Sequence, residues 1–354
     1  MKKSYFKLQP DAFTRFRTVI FLLESMTKNS SKNKTYSILD IGGSSTFIYD
    51  FLIESGFAFE LTIVDPRPKP AGLNSKITYI QSTGEDARKL NKKFDFTIMI
   101  DMLEHVSGDA NKRSVIESAI QLTKEAVIIA GPYDDFQTDK FEHSLNSINK
   151  ELFGVDQDWL LEHFECKKPN LDKIRNYFDK AGWKTNSVAT LPFNFWLASA
   201  FANLATASSE QIKKATIEAI NTEFNTEFEK KPSSFFTDQG YRKIIIASQN
   251  KLPEIKIKSI SNSSYLDYEM LYSIIIAKLV MTQTKAIYEA KKTLGSLSYE
   301  KGLVEQKFET LKEEIERLKD RNNELERHIF NHRAALKKIP LSESTINLVK
   351  KIKK

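Results

Sequence analysis

The chain has 354 residues, with 53 Lys and Arg against 46 Asp and Glu, a formal net charge of +7 and 41% hydrophobic residues. That length accommodates one large core plus an accessory region, and the basic excess points to an anionic partner such as phospholipid, nucleic acid or a phosphorylated substrate. The single cysteine, Cys166, excludes an intramolecular disulfide and a cysteine-rich zinc cluster; with no secretory apolar segment after Met1-Lys2-Lys3 and no run near the ~18 apolar residues of a membrane span, a cytoplasmic chain is expected.

Residues 1–34 read as an N-terminal helical extension. Phe13, Phe16, Val19, Ile20, Leu23 and Met26 recur mostly at three- and four-residue intervals, which predicts a helix over 11–27 covering the first strand or the entrance to a site. A polar linker, Ser30 to Lys34, precedes Ile38-Leu39-Asp40-Ile41-Gly42-Gly43, a short buried strand that ends in a glycine turn before the helix-like run Phe47 to Ser55. Backbone approaches a ligand closely where glycine lacks a Cβ, and ligands of open α/β sheets bind at the carboxyl ends of such strands. Leu61 to Asp65 is a second strand ending in a carboxylate suited to both hydroxyls of a ribose. Gly84-Glu85-Asp86-Ala87 places acids in a loop, and the strong strand Phe94 to Ile100 runs directly into Asp101-Met102-Leu103-Glu104-His105-Val106. Further strands are expected at Ile77 to Ile80, Ala126 to Ala130, after Gly182-Trp183, and at Tyr241 to Ser248. The connections are too long for hairpins, which argues for a parallel sheet covered by helices on both faces.

Two segments break the alternation. Pro132 to Lys168 is read as a loop at the strands' carboxyl end, dense in imidazole, acid and aromatic groups. Residues 192–231 are read as a helical insertion whose aromatics, from Phe193 to Trp196, either cap a pocket or belong to the core.

This ordered set resembles the class I S-adenosylmethionine-dependent methyltransferases over roughly residues 36–250. The resemblance implies an α/β fold with a Rossmann-like seven-stranded sheet and a closing edge pair, in a domain of residues 35–250 with S-adenosylmethionine as cofactor. By it, Asp40, Gly42 and Gly43 would line the methionine part of the cofactor, Asp65 would bind the ribose hydroxyls, Asp86 would approach the adenine amine, and Asp101 and Met102 would lie beside the cofactor. Ser44-Ser45-Thr46 stands where the family often has a third glycine, and its hydroxyls offer hydrogen bonds to the cofactor carboxylate. A dinucleotide-binding domain competes, but its Gly-x-Gly-x-x-Gly fingerprint is missing. Glu142 with Asn146, then Asp158 to His163 and Pro169, looks like methyltransferases of bacterial surface-polysaccharide and glycan-modifying systems. That narrower resemblance implies O-methylation of a hydroxyl or terminal phosphate on a surface glycan or glycolipid precursor, with Tyr133, Asn146 and Trp159 contacting the acceptor. An RNA or small-molecule methyltransferase and a noncatalytic, membrane-associated assembly protein are the alternatives. Nucleic acid is disfavoured, because neither an RNA-binding module nor an Asn/Asp-Pro-Pro-Tyr/Phe motif is present.

Methyl transfer from a sulfonium is an in-line displacement that depends on alignment, and a hydroxyl acceptor also has to lose a proton. His105, His143 and His163 are the candidate bases, with Asp134, Glu142 or Glu162 as orienting partners. A phosphate acceptor needs no base, so the choice stays open. No metal site is expected, since Glu104 and His105 are adjacent and would diverge on a helix.

The last hundred residues differ. Residues 251–300 read as a helical linker. Val304, Phe308, Leu311, Ile315, Leu318, Asn322, Leu325 and Ile329 then form a heptad seam within a coiled coil over 301–333, which predicts a homodimer through 304–329, with a trimer as the competing state. Residues 334–354 form a basic amphipathic tail suited to an anionic membrane surface.

Overall fold

A computed structural model describes residues 2–28, 34–43, 47–56, 58–207, 211–250, 252–257, 265, 267–274, 276–277 and 303–336. The expectations for Ser44-Ser45-Thr46, most of the 251–300 linker and the tail beyond Leu336 lie outside the described residues.

Among the described residues the apolar runs form one seven-stranded sheet in the order β3-β2-β1-β4-β5-β7-β6. The strands are β1 (Tyr36–Ile41), β2 (Phe59–Asp65), β3 (Ile77–Gln81), β4 (Phe94–Ile100), β5 (Thr123–Gly131), β6 (Lys184–Thr190) and β7 (Arg242–Ser248). The first five pair in parallel, whereas β7 runs antiparallel to both β5 and β6. This is a Rossmann-like mixed sheet, with the closing edge pair that the resemblance implies. Crossovers leave β1 and β4 in opposite directions, so a crevice opens at the carboxyl ends of these neighbours.

Near-continuous apolar sequence follows from burial on both faces. Leu39, Ile41, Val64, Met99 and Ile129 face a core closed by α3 (Asp109–Leu122) and α6 (Leu171–Lys180). Ile38, Ile63, Ile98 and Ile128 face the opposite core, which includes α1 (Pro10–Thr27) and α2 (Phe47–Glu54). Each such side chain contributes roughly 1.5–3 kcal/mol when fully buried, so a one-residue slip of a strand would be heavily disfavoured.

Pro132 to Lys168 is not the loop expected from its polarity. It folds as α4 (Phe136–Phe153) and α5 (Asp158–Cys166). Asp135 starts α4 by accepting the Thr138 amide at 2.9 Å, and Gly154 ends it with φ +74°. Leu145 and the half-buried Phe141 and Ile148 turn one face of α4 inward, which leaves the polar residues on the remaining faces.

The insertion forms α7 (Phe193–Ala207) and α8 (Gln211–Lys230), and its aromatics Phe195 and Trp196 are core. Asn225 of α8 donates to the carbonyls of Phe6 and Leu8 at 2.9 and 2.8 Å, and Arg17 of α1 pairs with Glu229 at 2.6 Å. The N-terminal segment is therefore fastened to the insertion. The same core continues past residue 250: Tyr265, Tyr268, Leu271 and Tyr272 are buried, with the Tyr272 hydroxyl donating to Asn221 at 2.6 Å. Further along, α9 (Leu303–Leu336) is a single helix of 34 residues whose Arg321 pairs with Glu151 of α4 at 2.7 Å. No helix among the described residues is long and apolar enough to cross a membrane.

Candidate active site

The glycine turn after β1 has a specific steric cause. Gly42 has φ +82°, and a Cβ there would lie 2.5 Å from Cγ of Met102, while its amide continues the sheet ladder to the Val64 carbonyl at 2.7 Å. A Cβ on Gly43 would run into the Asp40 carboxylate folded beneath it. Only glycines let this turn sit over both side chains. The resulting cleft, about 210 Å³, is lined by Arg15, Phe16, Asp40, Gly42, Gly43 and Asp101 among others. Asp40, Gly42, Gly43 and Asp101 thus converge as expected, with Met102 packed behind Gly42, and α1 covers the entrance through Arg15 and Phe16.

Burial pushes the Asp40 carboxyl up to about 7, with the nearby Asp65 charge adding to the effect. The folded chain therefore keeps a proton that the unfolded chain releases above about pH 4. More protons bound in the folded state means that stability falls as pH rises from about 4 to 7. Asp40→Asn is expected to flatten that slope and to be more stable than the parent chain above pH 7, by on the order of a few kcal/mol, in denaturant titrations across this range.

Asp65 is buried at the end of β2, where Arg67 grips it: the Arg67 amide and Nε donate to Oδ1 at 2.8 and 2.9 Å, and Nη2 donates to Oδ2 at 2.8 Å. Desolvation would raise this carboxyl, but the Arg67 bonds outweigh it and hold it below the usual range. A ribose reaching Asp65 has to displace the Arg67 side chain, which is well exposed and free to swing out. Asp86 sits in the turn Glu85–Leu90, paired with Lys89 at 2.8 Å, and is not among the residues that line the cleft.

Asp101 has φ +49°, a strained value for a non-glycine residue at the very end of β4. Arg15 and Arg242 both hold its carboxylate, and Arg242 also donates to Asp11 from Nη2 at 2.7 Å and from Nε at 2.9 Å. Burial pulls the Arg242 guanidinium down to about 10. This Asp11–Arg242–Asp101–Arg15 network locks α1 over the cleft. Neither arginine was anticipated, although the sequence did place a charged residue, Arg242, at the head of the apolar run Ile244-Ile245-Ile246-Ala247.

α5 brings His163 against the turn Leu103–His105, and the centroids of the His105 and His163 imidazoles lie 5.0 Å apart. His105 Nδ1 meets Glu162 at 2.7 Å, and His163 Nδ1 meets Glu142 at 2.9 Å. Burial and the neighbouring His163 lower the His105 imidazole, against the opposing pull of Glu162. Glu142 is completely buried and also accepts from Lys168 Nζ at 2.7 Å and from the Tyr241 hydroxyl at 2.8 Å. Desolvation works to raise Glu142, but His163 and Lys168 prevail and hold it low. Glu104 is also buried, and burial pushes it up to about 8. Residues 103–105 form a 3-10 turn in which adjacent side chains point about 120° apart, leaving Glu104 buried and His105 exposed. With His163 they offer ligand atoms all within 4.8 Å of one another.

The other expected residues separate. Trp159 is half-exposed and lies edge-on to His163 at 5.4 Å. His143 stacks on Phe164 at 4.1 Å, outside the cluster. Tyr133 is buried in the core, and Asn146 ties the α4–α5 connection by donating to Asp156 and accepting the Gln157 amide, each at 2.8 Å.

Comparison with known proteins gives structural matches alone. No family model and no curated protein matches the sequence. The plantazolicin methyltransferase BpumL, in complex with a monoazolic desmethylPZN analog and SAH, is similar at 14% identity with a TM-score of 0.44, covering 70% of this chain and 88% of that one. The plantazolicin methyltransferase BamL gives 14% identity and 0.43, covering 70% and 90%. A putative sarcosine dimethylglycine methyltransferase from Galdieria sulphuraria gives 14% and 0.41, covering 66% and 86%.

Proposed function

We propose that this chain is an S-adenosylmethionine-dependent O-methyltransferase whose acceptor is a hydroxyl or terminal phosphate of a surface glycan or its lipid-linked precursor. One observation carries the cofactor half: the Gly42-Gly43 turn, which any Cβ would fill, opens beside Asp40 and the strained Asp101, with Asp65 at the end of the adjacent strand. Those residues fit a zwitterionic nucleoside. The glycines admit it, Asp65 accepts ribose hydroxyls once Arg67 swings away, and Arg15 faces the cleft with a charge suited to the cofactor carboxylate. Bound there, S-adenosylmethionine supplies an electrophilic methyl group on a sulfonium.

The acceptor half draws on the His105–His163 cluster and on Trp159. An exposed indole beside imidazoles and carboxylates suits a sugar, which presents an apolar face and a rim of hydroxyls. The decisive experiment incubates the purified chain with methyl-labelled S-adenosylmethionine and with glycolipid, protein and RNA fractions of the source cells. Label in glycan is the expected result. Label confined to RNA or protein defeats the glycan assignment, and the absence of both transfer and cofactor binding defeats the enzyme assignment.

The same proposal includes a parallel homodimer through 304–329 at the cytoplasmic face of the membrane. Leu311, Ile315, Leu318, Asn322 and Leu325 follow the heptad on α9 and are exposed or half-exposed, and paired asparagines satisfy each other in register. Light scattering at micromolar concentration is expected to give twice the chain mass, falling to one chain mass in a truncation near Ser296; a trimer mass would refute the dimer. Residues 334–354 contribute the basic, apolar tail, and two copies bind more tightly than one. Anionic vesicles should sediment the full chain more than a truncation at Asn331, and equal sedimentation would refute the attachment.

A further inference from the structure

We propose that Glu104, His105 and His163 bind one divalent transition-metal ion, which takes the oxygen of the methyl acceptor as a further ligand. The second half rests on the methyltransferase reading of the cleft; the ion binding does not.

The three ligand atoms already lie within 4.8 Å of one another. Bonds of about 2.0–2.2 Å to a shared ion place neighbouring ligands roughly 3–3.5 Å apart, so small side-chain rotations complete the site. His105 is the exposed residue of its turn, and its partner Glu162 is exposed as well, so the pair can rotate together.

Each imidazole is arranged as metal-bound histidines are. Nδ1 of His105 is held by Glu162 at 2.7 Å and Nδ1 of His163 by Glu142 at 2.9 Å. A carboxylate on Nδ1 fixes the tautomer, so Nε2 of each ring carries the free lone pair. Glu142 is itself fully engaged by Lys168 and Tyr241 and acts through His163 as a positioning residue.

Glu104 supplies the independent observation. It is 1% exposed, and its Oε1 has no hydrogen-bond partner among the described residues. A buried side-chain oxygen without a hydrogen bond is costly in either protonation state, and a cation between Glu104 and the two imidazoles supplies the missing partner in place of a proton. Two nitrogens and one carboxylate oxygen suit zinc, manganese, iron or cobalt, whereas calcium and magnesium favour all-oxygen sets.

Three protein ligands leave at least one position open, on the side where His105 is exposed and Trp159 stands beside His163. An acceptor hydroxyl bound there is acidified by the ion and releases its proton to water. The resulting oxygen anion attacks the methyl carbon of S-adenosylmethionine; the new O–C bond forms as the C–S bond breaks, and its electron pair returns to sulfur as a neutral thioether. The histidines serve as ligands, and no side chain has to act as base.

The test begins with full-length protein stripped by chelator, then titrated separately with Zn²⁺, Mn²⁺ and Co²⁺ by calorimetry and elemental analysis. One ion per chain is expected for at least one of the three, and the visible absorption of bound Co²⁺ reports nitrogen ligation. Glu104→Gln and His163→Ala should abolish stoichiometric binding. Glu162→Ala, on an exposed helix face where folding is undisturbed, should weaken it about 10- to 100-fold, and His143→Ala should leave it unchanged. Failure of all three ions to bind the folded chain overturns the proposal, as does binding indifferent to both Glu104→Gln and Glu162→Ala. Ion binding with neither methyl transfer to any fraction nor S-adenosylmethionine binding keeps the metal site and removes the methyltransferase reading. Undiminished transfer by metal-free protein removes the catalytic half of the proposal.

Discussion

Asp65→Ala is expected to bind S-adenosylmethionine about 100-fold or more weakly than the parent chain in calorimetry. Hydrogen bonds to a charged group are each worth about 1.5–3 kcal/mol, and Asp65 is placed to accept two from a ribose. The substitution strands no buried charge, because its partner Arg67 is well exposed and returns to water. The fold should therefore survive, and denaturation midpoints of the two proteins should be close. Arg67→Ala gives the opposite control. It removes the group that occupies Asp65 in the structure, so cofactor affinity should be retained or increased. Unchanged affinity in Asp65→Ala would remove Asp65 from the cofactor site and leave its bond to Arg67 as its whole role.

The elements that sequence made legible are those whose physics is local. Ile38-Leu39-Asp40-Ile41-Gly42-Gly43 declares a buried strand and a turn within six residues, and Asp65 closes the next apolar run in the same way. The acceptor side was only partly legible because its contacts are remote. Glu142 and His163 are 21 residues apart and meet only because α4 and α5 pack together; Arg242 reaches Asp101 across 141 residues. Polar density across 132–168 masked the two helices, since their apolar faces are narrow and charges cover the rest. Glu104 and His105 do diverge, one buried and one exposed, and the remote His163, brought in by α5, is what gathers the three ligand atoms. Tyr265, Tyr268 and Tyr272 concealed how far the core extends, because a tyrosine suits a surface as readily as an interior where its hydroxyl finds a partner.

Glu142→Ala is expected to cost about 3–5 kcal/mol of stability, which identifies Glu142 as a residue that the fold depends on as well as one placed beside the chemistry. The substitution withdraws the acceptor from three groups at once: His163 Nδ1 at 2.9 Å, Lys168 Nζ at 2.7 Å and the Tyr241 hydroxyl at 2.8 Å. Lys168 retains Asp139 at 2.8 Å, which limits the loss from its ammonium, but the buried Tyr241 hydroxyl has no other acceptor among the described residues, at a cost of roughly 1–3 kcal/mol. These terms share one network and do not add, so their sum is an upper bound. Glu142→Gln keeps the shape and an acceptor oxygen for Tyr241 while losing the charge, and its denaturation midpoint should fall between those of the parent and Glu142→Ala. Glu162→Ala supplies the contrast on the same cluster. Its carboxylate is largely exposed and, among the described residues, pairs with His105, so stability should change by less than about 0.5 kcal/mol. If Glu142→Ala unfolded at the parent's denaturant midpoint, its buried bonds would be carrying no net stability. Glu142 would then act through its hold on His163 alone.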